Sequence, residues 1–223
     1  MTITPAATTM ATIMSTTQIF IATLAALFPI TNPIGGVAVF ASMSAPLAAA
    51  AKKKQAIMTA VYVFAILAVF ATAGPWLLKG LGLTIPALQL AGGLVVGHSG
   101  YAMLNQKPAM SDEEHADSHE KAQSGTDIAF TPMALPMIAG PGAIGVVIAL
   151  GAKHPGMESM AAIVAGIAAM ALLIGVLLRF GTPLVDKMGP SGLGALSRIM
   201  GFLILAIGVQ LIISGATAVY PVH

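Results

Sequence analysis

The sequence predicts an all-α integral membrane protein, six transmembrane helices arranged as a 3+3 inverted repeat. Three observations carry that prediction. Only 8% of the residues are charged and 57% are hydrophobic, with a mean hydropathy of +0.91, whereas a soluble domain carries about 25% charged residues. Apolar stretches of about 20 residues, the length that crosses a bilayer core as a helix, recur along the chain. Two of them are interrupted by Pro and Gly at matching places, the mark of broken helices in membrane proteins built from two halves.

The spans read, in order, as 17–42, 55–79, 85–105, 128–152, 158–180 and 193–217. Together they form one transmembrane domain over 1–223. Repeat one covers about 17–105, an acidic loop 106–127, and repeat two about 128–217. The first fifteen residues are Thr-rich and lack Lys and Arg, so they lack the positive n-region of a secretory signal. Lys52-Lys53-Lys54 closes the first connection. Gly80, Gly82 and Pro86 punctuate the second, with Pro86 suited to the first residue of a helix. His154-Pro155-Gly156 separates spans four and five. Gly181-Thr182-Pro183 and Gly189-Pro190-Ser191-Gly192 bracket the last turn.

Lys and Arg set the orientation. Lys52, Lys53, Lys54, Lys107, Lys121, Arg179, Lys187 and Arg198 fall on one side; Lys79 and Lys153 fall on the other. The richer side belongs in the cytoplasm. Both termini are therefore expected outside, in the periplasm, and loops 1–2, 3–4 and 5–6 inside. Asp112, Glu113, Glu114, Asp117, Glu120 and Asp127 lie in the central loop, while Glu158 and Asp186 lie at or near span ends. No acid sits within a span, which argues against a carboxylate site for protons or sodium at mid-membrane. The absence of cysteine excludes disulfides and thiolate metal sites. No basic run suggests nucleic acid. The expected partners are a small-molecule substrate and the lipid bilayer, with no cofactor or metal and with H+ or Na+ coupling left open.

Pro33 and Pro141 are 108 positions apart. Span three (89–105) laid on span six (198–214) sets Gly92 on Gly201 and Leu94 on Leu203, an offset of 109. A duplicated unit of three spans follows. An odd span count forces the second copy in upside down, so the two breaks would meet near the midplane.

At each break Pro removes a backbone donor and Gly opens backbone angles closed to other residues. The halves then expose carbonyls on one side, near Leu27–Ile30 and Met137–Ala139, and amides on the other, near Gly35–Gly36 and Gly142–Ala143. Amides at a helix start favour an anion and carbonyls a cation, so the pair suits a small zwitterion. Thr31 and Asn32 add the nearest polar side chains.

At these residues the chain resembles the MarC family, also described as small neutral amino acid transporters of the SnatA type. The resemblance rests on FPITNPIGGVAVF at 28–40, LPMIAGPGAIGVVIALGA at 135–152 and the Gly-Gly of the third span. It runs over nearly the whole chain from about residue 17. It implies six spans, an inner-membrane location and transport of small neutral amino acids such as alanine or glycine. It carries Asn32, Pro33, Gly35, Gly140, Pro141, Gly142 and Ala143 as the substrate region; the break geometry adds Thr31 and Gly36.

His98, mid-span, is either a proton relay or a packing histidine. Gly93 and Gly97, with Gly92, Gly100 and Gly201, suggest close packing against the broken helices, with a binding role the minor reading. His115 and His119 would share a helix face, but a solvated acidic linker outweighs a zinc site there. Gln210, Ser214, Thr59, Thr72 and Thr84 fit interhelical hydrogen bonds or a cavity lining, and Trp76 an interfacial anchor. Two functions follow: a secondary transporter working by alternating access, or a channel or exchanger for a small anion or other small solute. An enzyme is not expected, since the spans hold no acid to join His98.

Overall fold

The computed structural model describes residues 15–105 and 127–219, and among them every element is a helix. These are α1 (Thr16–Thr31), α2 (Pro33–Ser44), α3 (Ala49–Gly80), α4 (Ile85–Leu104), α5 (Ala129–Ile138), α6 (Pro141–Lys153), α7 (Met157–Phe180) and α8 (Thr182–Val219). The acidic loop with His115 and His119 lies outside the described residues.

Three helices are long and apolar enough to cross a membrane alone: α3, α7 and the Ser191–Val219 part of α8. α1 with α2, and α5 with α6, qualify as pairs bent by 43° and 66°. That makes up to five, one fewer than the sequence predicts. The missing one is α4. It has 20 residues, but Gln89, His98, Ser99 and its glycines dilute its apolar content. In α8, Gly189 at φ 62° interrupts the helix before the membrane-length part; only glycine takes that angle together with ψ 179° at no steric cost.

α3 and α7 form the centre. α3 runs beside α5 and α6 in one direction, with the Tyr62 and Phe130 rings edge to face at 5.3 Å and Gly74 against Ile148. α7 runs the same way beside α1 and α2, with Gly166 against Thr23 and Gly181 against Val37. The chain turns back from α6 into α7 at His154–Gly156, so α3 and α7 are antiparallel; they cross where Gly175 meets Ala60. Leu67, Ile163, Ile167 and Ile174 are fully buried along these contacts, while Ile57, Val61, Val69 and Leu172 are exposed outward. The outward set is apolar because the surrounding solvent is lipid.

α4 and α8 form an antiparallel pair closed by glycines. A Cβ at Gly93 would come within 2.7 Å of the Gly208 carbonyl oxygen and 2.9 Å of the Ile212 nitrogen. A Cβ at Gly201 would come within 2.9 Å of the Gly100 oxygen and 3.1 Å of the Leu104 nitrogen. Gly100 in turn meets the Gly201 oxygen at 2.7 Å, and Gly208 the Gly93 oxygen at 2.8 Å. Moving each residue by 108 positions turns one contact into the other: Gly93 becomes Gly201, Gly100 becomes Gly208, Leu104 becomes Ile212. The sequence alignment sets Gly92 on Gly201, whereas the exchange of contacts pairs Gly93 with Gly201, the same spacing as Pro33 and Pro141. The expected partner of these glycines also changes. Gly93, Gly97 and Gly100 pack on α8, and Gly92 meets a broken helix through Gly145 of α6.

Candidate functional site

The first break is organised by one side chain. Asn32 ends α1 and begins α2 in the left-handed conformation, φ 41°, ψ 60°, which Asn tolerates better than most residues. Its Oδ1 accepts from the Gly35 N–H at 3.3 Å and its carbonyl from the Gly36 N–H at 3.0 Å. Asn is a favoured cap, and Pro33 at the first helical position gives up a donor that would be orphaned anyway. Gly35 has to be Gly: a Cβ there would strike the Asn32 amide group. Thr31 is buried, and its hydroxyl donates to the Phe28 carbonyl at 3.5 Å. The Asn32 N–H donates to the Pro29 carbonyl at 3.1 Å.

This overturns one expectation. The amides of Gly35 and Gly36 are not open to a ligand, because Asn32 already occupies both. The signal was present in the sequence: an Asn before Pro, with Gly three residues on, is a capped helix start.

The second break is built differently. α5 is wound as a π-helix, its backbone extended at Thr131 and Leu135 and its bonds reaching five residues back, Met133 N–H to Ile128 O at 3.2 Å and Ala139 N–H to Ala134 O at 2.8 Å. The regular half-helix expected here does not form. Pro132 and Pro136 each lack an N–H, and each disfavours the helical region for the residue before it. The Thr131–Pro132 and Leu135–Pro136 peptides are cis. Gly140 then starts α6 without a side-chain cap. A Cβ at Gly140 would lie 2.5 Å from the Pro136 oxygen. Pro141 is exposed, while Gly142 and Ala143 are buried. The first α6 amides, on Gly142 and Ala143, thus receive no help from a side chain, unlike that of Gly35.

The two breaks touch. Ile138, the last residue of α5, covers Gly36 of α2, its side chain 3.7 Å from where a Cβ would stand. Ile30, near the end of α1, covers Gly142 of α6 at 3.5 Å. Ile30 and Ile138 are themselves 108 apart. α4 reaches both breaks from one face: Val96 packs on Gly142, and the Met103 sulfur lies 3.9 Å from Asn32 Nδ2. Val96 and Met103 are seven residues apart and so share a helix face. Sequence reading placed Ile30 and Ile138 in the stretches whose carbonyls face the site but gave their side chains no part, and it missed Val96 and Met103, since an apolar residue in an apolar span carries no mark of its own.

The MarC family model, described as an integral membrane protein family, matches residues 17–220. The chain belongs to the MarC family. Among its relatives is the membrane protein YvbG of Bacillus subtilis, 34% identical over 196 residues, 88% of this chain and 93% of YvbG. The inner membrane protein MarC of Salmonella typhimurium is 37% identical over 209 residues, 90% of this chain and 95% of its own length. The MarC protein of Escherichia coli O1:K1 is 35% identical over 201 residues, covering 86% and 91%. No solved structure matches.

The other singled-out residues of this MarC-family chain fall outside the two breaks. His98 is exposed on α4, with no hydrogen bond to its ring among the described residues, so it is not a buried packing residue. Thr59 and Thr72 donate to carbonyls of their own helix, Gln210 donates to Ser214 one turn on at 3.3 Å, and Thr84 caps α4. None of these bonds is interhelical, which corrects that expectation. Trp76 is 76% exposed, with Lys79 Nζ 5.5 Å from its ring.

Proposed function

We propose that this MarC-family protein is a secondary transporter of the inner membrane for small neutral amino acids, the alanine and glycine class, working by alternating access. The observation that carries the reading is the reciprocal contact of the breaks, Ile30 on Gly142 and Ile138 on Gly36. α4 is the sixth span in this reading, held in the bilayer by its glycine seam with α8. The six spans form a 3+3 inverted repeat. Its support is the exchange of α4–α8 contacts under a shift of 108 and the matching courses of α3 beside α5–α6 and α7 beside α1–α2. Both termini lie in the periplasm, as the Lys and Arg distribution favours.

The candidate substrate region is Thr31, Asn32, Pro33, Gly35, Gly36, Gly140, Pro141, Gly142 and Ala143. Its two halves take unequal parts. The uncapped α6 start suits the carboxylate, since its amides and dipole favour an anion. Carbonyls at the ends of α1 and α5 suit the ammonium. A zwitterion bound this way requires no buried acid, and no enzymatic chemistry is proposed. Val96 covers Gly142, so access to the α6 amides requires α4 to shift.

A small-anion channel or exchanger is the second reading, favoured by the same uncapped α6 start. The deciding experiment is counterflow of labelled alanine into liposomes holding the purified protein, with unlabelled amino acids as competitors. The transporter reading expects saturable counterflow that alanine, glycine and serine suppress. Conductance of a simple anion without counterflow would establish the channel instead.

A further inference from the structure

A cavity of about 570 Å³ lies between α3 and α7, with no residue of either break in its lining. Its walls are apolar: Ile57, Val61 and Phe64 on α3 face Leu172, Val176 and Phe180 on α7. Its floor is made of small residues, Ala60, Ala171 and Gly175, where the two helices cross. Among the described residues, Lys53 and Arg179 are the only charged ones that line it, and no carboxylate does. Because the helices are antiparallel, Lys53 in the first turns of α3 and Arg179 in the last turn of α7 mark the same end. From Lys53 to Phe64 the α3 wall measures about 16 Å at ~1.5 Å per residue, close to half of a ~30 Å hydrocarbon core.

Among the described residues, the charged end gathers positive charge that suits an anion. α3 begins at Ala48 with no side-chain cap and no acid in its first turn, followed by Lys52, Lys53 and Lys54. Cations at a helix start oppose the helix dipole, so the free amides and the lysines add to one positive field. Arg179 is exposed and lies over the Phe180 ring at 5.1 Å, a contact that holds the guanidinium at the groove mouth.

We propose that this groove binds one anionic phospholipid, its phosphate on Lys53 and Arg179 and an acyl chain along the α3–α7 walls for the depth of one leaflet. Length, apolar walls and a cationic mouth at one end match a lipid and no part of a small polar solute. On the orientation set by Lys and Arg the mouth faces the cytoplasmic leaflet, where anionic headgroups attract basic residues.

Native mass spectrometry of the full-length protein, titrated with phosphatidylglycerol and with phosphatidylcholine of the same chains, tests this. One phosphatidylglycerol should remain bound under conditions that strip phosphatidylcholine. Lys53→Ala with Arg179→Ala should weaken it about thirty-fold, and Lys53→Arg with Arg179→Lys should keep it. Ala168 lines the groove on α7 eleven residues from Arg179, and Ala168→Trp, which fills that deep end, should also lose the lipid with both cations intact. Equal retention of the two lipids, or unchanged binding in the double alanine variant, overturns the proposal. So does glycerol phosphate competing as well as the whole lipid, since that would leave the groove no part. Both cations are exposed, so the double variant folds, and it separates this groove from the breaks: alanine counterflow of that protein in neutral lipid should be unchanged.

Discussion

At the scale of single residues, the first break depends on Asn32 and the second on the absence of a side chain at Gly142. Asn32→Ala removes the acceptor that holds the Gly35 amide and the residue type that tolerates a positive φ. The lost cap costs about 1 kcal/mol, read as a lower midpoint in thermal unfolding of the detergent-solubilised protein. Counterflow should fall to background in membranes that still contain the folded protein. Gly142→Val should do the same by driving its side chain into Val96, which a Cβ already meets. Relief of that clash is the sharper test. Gly142→Ala should lose most activity, and adding Val96→Ala should return part of it. Wild-type counterflow by Gly142→Val would remove the α6 start from the site.

At the scale of elements, the α4–α8 seam makes a quantitative claim. If Gly93 and Gly201 occupy equivalent places, adding the same side chain to each should destabilise the protein to the same degree. Gly93→Val and Gly201→Val each force apart backbones that a Cβ would approach within 2.9 Å. Overpacking of a tight contact costs about 1–3 kcal/mol, so the two variants should lose similar amounts in thermal unfolding. Gly97→Val should lose less, because its nearest neighbour is the Leu205 side chain at 3.8 Å. A loss at Gly93 with none at Gly201 would break the equivalence.

Element boundaries were legible where Pro and Gly act on the backbone and not elsewhere: α3 starts at Ala49, so Lys52–Lys54 lie in its first turns and not in the connection, and α8 starts at Thr182 and not at 193. Pro33, Pro141, Pro86 and Gly156 mark helix starts that the structure keeps. The internal winding of α5 was not read, although Pro132 and Pro136, four residues apart, each remove an α-helical bond, one per turn. Their effect is cooperative along one turn, and a span-length search treats the stretch as uniformly apolar. The partner of the glycine seam was not legible either. Gly93 and Gly100 announce a close approach without saying to what. Asn32 was read as a ligand-facing side chain, yet its spacing to Gly35 is that of a cap, and local hydrogen bonding took the side chain first.

At the scale of the whole molecule, alternating access requires the two halves to move where they now touch. The breaks meet through Gly36 with Ile138 and Gly142 with Ile30, one member of each pair from each half. Fixing such a contact should arrest transport without unfolding anything. The chain has no cysteine, so Gly36→Cys with Ile138→Cys gives a single reactive pair in a clean background. A Cβ at Gly36 would stand 3.7 Å from the end of the Ile138 side chain, within reach of a short thiol-to-thiol cross-linker though too far for an unstrained disulfide to be assumed. Before cross-linking, the pair should keep measurable counterflow, because Gly36 has an ordinary van der Waals gap beside it. After cross-linking, counterflow should vanish and return when a cleavable linker is reduced. Each single cysteine treated alike should remain active. Full activity of the cross-linked pair would mean that substrate passes without relative motion of the breaks, which is how a channel behaves and how a rocking transporter cannot.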